Sequence, residues 1–218
     1  QDIFSSLTHF IPIDPKDFLK DFLDGYQSNK DSNFSNDWCL EFQKSEENHL
    51  QYLPLSKWSD LKAHYLVQKQ LNGKKVNLQM GNSTSVRYIQ LFQQQKDLKY
   101  NSNRGVSGID GSSSTAVGAA SVSDELTVLI TGDLSFIYDQ HALWNNEVPK
   151  NLKIIVVNNQ GGGIFNIISG PKTTPYSKEF FETKHEISLE KIAATFEINY
   201  QKATNEVQAA ECLNNIFK

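Results

Sequence analysis

A chain of 218 residues with 39% hydrophobic and 11% aromatic content is long and apolar enough to bury a core of ordinary size. A formal charge of −4, a pI near 5.7 and the lack of a basic patch argue against nucleic acid or an anionic membrane surface as the main partner. No apolar run reaches membrane-spanning length and no signal peptide is visible; Cys39 and Cys212 fit no metal or redox motif, which points to a reducing, cytoplasmic setting.

The chain starts at Gln1 in mid-pattern, as a piece of a longer polypeptide would. Residues 1–50 are polar and punctuated. Pro12 and Pro15 precede an amphipathic helix from Lys16 to about Asp24, with Phe18, Leu19, Phe22 and Leu23 on one face. Gly25 to Asn36 reads as polar loop, and a second helix runs from about Asp37 to Glu47, anchored by Trp38. Residues 51–72 read as a linker and a helix capped by Ser56, with Trp58, Leu61, Tyr65 and Leu66 on its apolar face.

From Lys75 onward strands and helices alternate. The pattern predicts a strand Val76–Met80, a helix Ser83–Phe92, a glycine-rich loop Gly105–Gly111 and a small-residue helix Ser112–Ser121. A strand Leu126–Thr131, a helix from Leu134 to about Asn145 and a strand Ile154–Val157 follow. After Gly170 comes a loop rich in Pro and Thr, then a helix Ser188–Phe196, a short strand Glu197–Tyr200 and a last helix Glu206–Ile216, with no final strand. Alternation of this kind predicts an α/β domain, a parallel sheet flanked by helices. No internal repeat is present.

Four motifs carry chemistry. Gly132-Asp133 and Asn158-Asn159 stand at the ends of two successive strands, with Gly161-Gly162-Gly163 directly behind. In a parallel sheet such ends share one edge, where ligands bind. Asp133 offers a hard anionic oxygen, Asn159 a neutral one and the Gly161 carbonyl a third. That suits magnesium, which takes one or two protein side chains and completes its shell from phosphate. The plainer alternative is an Asp at a helix start and an Asn-Asn turn. The glycine run alone is a weak signal, although it lets backbone amides approach an anion.

In Asn103–Gly111 three glycines surround an isolated Ile109, whose ordinary fate would be burial in the core. The segment Asn82-Ser83-Thr84-Ser85-Val86-Arg87 opens a helix, where free amides favour anions and a plain cap is the alternative. Of 21 basic residues only Arg87 and Arg104 are arginine. Codon usage would account for that, but both lie in these motifs, and arginine grips carboxylates with a planar fork that lysine lacks.

These stretches resemble the thiamine-diphosphate enzymes. Most of that family carry a further glycine after Gly-Asp, where this chain has Leu134. The departure agrees with one subfamily, the SEPHCHC synthases of menaquinone biosynthesis. The likeness runs through Gly81–Arg87, Ser102–Gly111, Gly132–Phe136, Tyr138-Asp139 and Asn158–Phe165. It covers about residues 75–170 and is weaker at Leu7–Phe22 and Phe181–Phe196.

The resemblance implies a role for each matched residue. Asp133 and Asn159 would hold Mg²⁺, with Mn²⁺ as a substitute, by side chain, and Gly161 by its carbonyl. The Leu134 and Ser135 amides would hold the diphosphate. Ile109 would bend thiamine diphosphate into its V shape, with Ser107 and Gly108 beside the aminopyrimidine and Gly162 and Ile164 lining the cofactor. Asn82, Ser83, Arg87 and Arg104 would contact 2-oxoglutarate and the adduct derived from it. Ile164 and Phe165 would pack on isochorismate.

The implied reaction is decarboxylation of 2-oxoglutarate on the cofactor and addition of the resulting carbanion to isochorismate. Its catalytic glutamate would lie in an N-terminal domain of a neighbouring subunit, in a homodimer or homotetramer, so that no catalytic acid is assigned in this chain. Residues 1–50 would then be the tail of a middle domain and 51–218 the diphosphate- and metal-binding domain. Another thiamine-diphosphate 2-oxoacid decarboxylase, or a non-catalytic phosphate-binding domain, are the alternatives. The second leaves the paired arginines and Ile109 without a purpose.

Overall fold

The computed structural model describes residues 6–27, 33–145 and 148–217. Two compact units are present, residues 1–44 and 45–218. The first unit holds helix α1 (Pro15–Gly25), set by Pro15 in its first turn and by Asp14, which accepts from the Lys16 amide at 2.8 Å. None of its residues is buried, and Phe18, Phe22 and Tyr26 stack along its exposed side. Helix α2 (Phe34–Leu55) is much longer than the sequence suggests, since its polar residues mark no clear end.

The second unit is built on four parallel strands, β1 (Val76–Met80), β2 (Leu98–Ser102), β3 (Leu126–Gly132) and β4 (Leu152–Val157), in the order β2-β1-β3-β4. Helices α3 (Asp60–Gln70), α4 (Thr84–Ile89), α5 (Ser112–Ser121), α6 (Asp133–Tyr138), α7 (Leu189–Thr195) and α8 (Glu206–Ile216) flank them. Period-two alternation in β3 divides the core. Val128 and Ile130 join Val76, Leu78 and Met80 against α3, α4 and α8, through Val67, Leu71, Val86, Ile89 and Leu213. Leu129 faces the other way, onto Ala116, Val117 and Ala120 of α5, Phe136 of α6 and Leu189 and Ile192 of α7.

Strand β2 went unread because Leu98-Lys-Tyr-Asn-Ser102 is a polar edge strand. Burying an apolar side chain contributes about 1.5–3 kcal/mol, more than the ~1 kcal/mol spanned by strand propensities. Leu98 and Tyr100, packed on the first core face, therefore decide the matter. The helix expected from Leu134 to Asn145 breaks after Tyr138. Asp139 turns inward, accepts from the Ser114 amide at 2.7 Å and from its hydroxyl, and a 3₁₀ turn Gln140–Leu143 follows. No strand forms at Glu197–Tyr200, because Glu197 takes φ 54° as it ends α7. Ser56 does not cap α3: its hydroxyl donates to the Leu53 carbonyl at 2.8 Å, and Ser59 is the cap.

Register places the functional edge. Met80 pairs with Ser102 and Ile130, and Gly132 with Val157, so all four carboxyl ends lie together. The chain leaves β1 toward β2 and leaves β3 toward β4, in opposite directions, which opens a crevice between β1 and β3. Gly81 lies flat on β3 there. A Cβ on it would stand 2.4 Å from Thr131 Oγ1 and 3.0 Å from its Cα, so the loop after β1 enters the crevice only as glycine.

Candidate functional site

Four loops leave this edge: Gly81–Ser83 after β1, Asn103–Gly111 after β2, Asp133–Ser135 after β3 and Asn158–Phe165 after β4. All the residues singled out by sequence lie on them except Arg87, in the last turn of α4. On these loops three described non-glycine residues take positive φ, one on each of three: Ser83 at 74°, Ser107 at 57° and Gln160 at 64°. Each such position costs on the order of 1 kcal/mol or more and persists only where its surroundings dictate it.

Buried Asn82 joins the first two loops. Its Nδ2 donates to the carbonyls of Asn103 (2.7 Å) and Gly108 (2.5 Å), and its Oδ1 accepts from the Arg104 guanidinium at 3.0 Å. The carboxamide thus shapes the loop that carries Ile109. Ile109 is half-buried and belongs to neither hydrophobic cluster. Its carbonyl accepts from the Ser135 hydroxyl, which fixes this apolar residue against the first turn of α6. Arg87 and Arg104 are exposed, and neither forms an ion pair among the described residues.

Asp133 is only 2% exposed. Its Oδ1 accepts from the Leu134 amide at 2.7 Å and its Oδ2 from the Gly161 amide at 3.1 Å, so the loops after β3 and β4 meet at this carboxylate. His185 stands beside it, Nε2 3.3 Å from Oδ2 but out of line for a hydrogen bond. Its Nδ1 accepts from the Ile187 amide at 3.2 Å, which puts the ring hydrogen on Nε2. The segment carrying His185 lies along the β4 loop: the Gly162 amide donates to the Glu182 carbonyl at 2.5 Å, and the His185 amide to the Gln160 carbonyl at 3.3 Å.

Asn159 donates through Nδ2 to Asp60 Oδ2 at 2.7 Å. Asp60 opens α3, and its backbone carbonyl accepts from His64 Nδ1 at 2.7 Å. Burial holds the His64 imidazole below its ordinary pKa, against the upward pull of that hydrogen bond and of the Asp60 carboxylate. Burial, then Asp60, raises the Tyr88 phenol. Ile164 and Phe165 form a 3₁₀ turn, with the Phe165 ring on Phe181 at 5.6 Å.

Sequence reading thus places Asp133, Asn159 and the glycines on neighbouring loops, and misses Asp60 and His185. Nothing near Asp60 signals that it meets a residue 99 positions away, and His185 lies in a polar loop with no motif of its own.

Residues 79–218 match the family described as thiamine pyrophosphate enzyme, C-terminal TPP binding domain. The chain belongs to this family. Among curated thiamine pyrophosphate enzymes it is similar to 2-succinyl-5-enolpyruvyl-6-hydroxy-3-cyclohexene-1-carboxylate synthases. It is 42% identical over 213 residues to that of Flavobacterium psychrophilum, covering 97% of this chain and 38% of the relative. To that of Porphyromonas gingivalis it is 34% identical, covering 99% and 39%. The chain therefore spans about two fifths of the length of these relatives. In fold it is similar to benzoylformate decarboxylase from Polynucleobacter necessarius, with a TM-score of 0.57 at 13% identity over 72% of this chain and 30% of that one.

The donor set suits a metal-bound diphosphate. No cluster of three acidic, histidine or cysteine side chains occurs among the described residues, so a cation here would draw on phosphate oxygens, as magnesium does. The buried Asp133 carboxylate accepts from two backbone amides and has no aligned cationic partner among the described residues, and the adjoining His185 Nε2 is a buried donor without an acceptor among them. An orphaned buried donor beside a carboxylate of uncompensated charge suits a bound anion together with its cation.

Proposed function

We propose that this chain is the diphosphate- and metal-binding part of a longer enzyme that decarboxylates 2-oxoglutarate and joins the remaining fragment to isochorismate, in menaquinone biosynthesis. The observation that carries the reading is the buried Asp133 carboxylate meeting the Gly161 amide across two strand ends, in a chain 42% identical to a synthase of that name. Residues 51–218 form the binding domain, and 1–50 the tail of a preceding one. The parent is a homodimer or homotetramer whose other domains complete the site.

Asp133 and Asn159 would hold Mg²⁺ through side-chain oxygens, and Gly161 through its carbonyl. The amides of Leu134 and Ser135 would receive the diphosphate. Ile109, held by Ser135, would support the bent cofactor, with Ser107, Gly108, Gly162 and Ile164 around it. Thiamine diphosphate, when bound, supplies the carbanion chemistry that no side chain offers. The protein binds and orients. Arg87 and Arg104, exposed and in no ion pair among the described residues, would grip the carboxylates of 2-oxoglutarate, and Asn82 and Ser83 would complete that contact. Asn82 already orients Arg104. Ile164 and Phe165 would pack on isochorismate.

Steady-state kinetics of the full-length protein with both substrates is the test. Turnover is expected with 2-oxoglutarate and isochorismate. Arg87→Lys and Arg104→Lys should each lower kcat/KM for 2-oxoglutarate by about tenfold or more, since the bidentate contact is lost while charge is kept. Cofactor affinity should be unchanged. Absence of turnover with this pair would refute the substrate assignment, and wild-type efficiency in both variants would refute the arginine roles.

A further inference from the structure

The Asn159 carboxamide is useful to a hard cation only through Oδ1. A carboxamide on a loop flips readily, and half of its orientations offer the nitrogen instead. In this chain the choice is made by Asp60. Its carboxylate only accepts hydrogen bonds, so the group 2.7 Å from its Oδ2 must be the Asn159 amide nitrogen. The oxygen then points the other way, and it accepts no hydrogen bond from any described residue.

Two further observations fix the arrangement. Gly163 leaves room for the nitrogen edge: a Cβ on Gly163 would stand 2.9 Å from Asn159 Nδ2. Asp60 is itself anchored, since its carbonyl accepts from the fully buried His64 ring, which packs edge-on against Tyr88 at 5.3 Å. The first turn of α3, outside the segment that matches the family, therefore reaches the tip of β4.

We propose that Asp60 is a positioning residue for the metal site, holding the Asn159 carboxamide with its oxygen free for the cation. The inference rests on the assignment of Asp133 and Asn159 as metal ligands. Asp60 touches neither cation nor substrate. It acts through Asn159, as outer groups around metal sites do, where their loss typically costs about 10–100-fold in metal affinity.

The experiment measures Mn²⁺ binding to the full-length protein by electron paramagnetic resonance, with thiamine diphosphate saturating, for four variants. Asp60→Ala should raise the Mn²⁺ Kd by about 10–100-fold. Asp60→Asn, which keeps an acceptor oxygen and loses the charge, should recover most of that affinity. Gly163→Ala, which crowds the nitrogen edge of the carboxamide, should weaken Mn²⁺ binding even where Asp60→Ala folds poorly. Asp133→Ala should abolish it. A merely structural role for Asp60 at the start of α3 would lower Tm and leave the Kd unmoved. Wild-type Mn²⁺ affinity in Asp60→Ala or Gly163→Ala, with binding lost in Asp133→Ala, would overturn the positioning role alone. Retained binding in Asp133→Ala would overturn the metal site beneath it and the inference together.

Discussion

His64 is fully buried, and its Nδ1–H donates to the Asp60 carbonyl while Nε2 meets no partner. Burial lowers its pKa in the folded chain, so below about pH 6.5 the unfolded chain takes up a proton that the folded one refuses. Stability is then full above the unfolded value and declines as pH falls toward the folded one. Between pH 7.5 and 5.5 this residue should therefore lower the stability of the folded chain. Urea unfolding of the wild type and of His64→Phe at both pH values checks this. The wild type should lose more stability than the variant, and equal losses would contradict it. Residues of this kind show where sequence reading stops. Asp133, Asn159 and Gly161 announce themselves because a strand end, a carboxylate and glycines are contiguous in the chain. Asp60 and His185 reach the site only through tertiary packing, and a helix-opening Asp looks the same wherever its carboxylate points.

Helix ends in the second unit are joined by Lys62, a lysine only 1% exposed. Its ammonium donates to the carbonyls of Leu53 (2.7 Å) and Pro54 (3.2 Å) at the end of α2 and lies 3.2 Å from Glu206 in the first turn of α8. Carbonyls at a helix end have no partner within the helix, so this single side chain satisfies two of them. Lys62→Met keeps the stem but leaves the Pro54 carbonyl without this donor and the Leu53 carbonyl with Ser56 alone, at a cost of about 1–3 kcal/mol. Chemical denaturation measures it, and a change below about 0.5 kcal/mol would mean that water replaces the ammonium without loss. Elements with strong internal patterns, β1, α5 and α8, were legible to the residue. Those fixed by a distant partner were not: β2 is held by Leu98 and Tyr100 against the core, and α6 is cut short by the Asp139–Ser114 contact.

At the scale of the whole molecule the chain holds a four-stranded sheet among its described residues but only about two fifths of the length of its curated relatives. Two core clusters, one on each face of the sheet, should let residues 1–218 fold alone. The isolated chain should nevertheless release no carbon dioxide from 2-oxoglutarate with cofactor and Mg²⁺ in excess, if the acid that serves the aminopyrimidine end lies, as proposed, in another domain. Turnover by this chain would place that acid within it. Fold class was readable from the alternation after Lys75. The proposed division of labour between domains was not legible in that alternation, because it would depend on surfaces that only an assembled protein brings together.

The central claim is that the joined ends of β3 and β4 bind thiamine diphosphate through a metal at Asp133. Calorimetric titration of the full-length protein and its Asp133→Ala variant with thiamine diphosphate and Mg²⁺ tests it most directly. Saturable binding is expected for the wild type, and its loss in a variant that keeps the wild-type circular dichroism spectrum. A folded Asp133→Ala protein that binds the cofactor with wild-type affinity would contradict it.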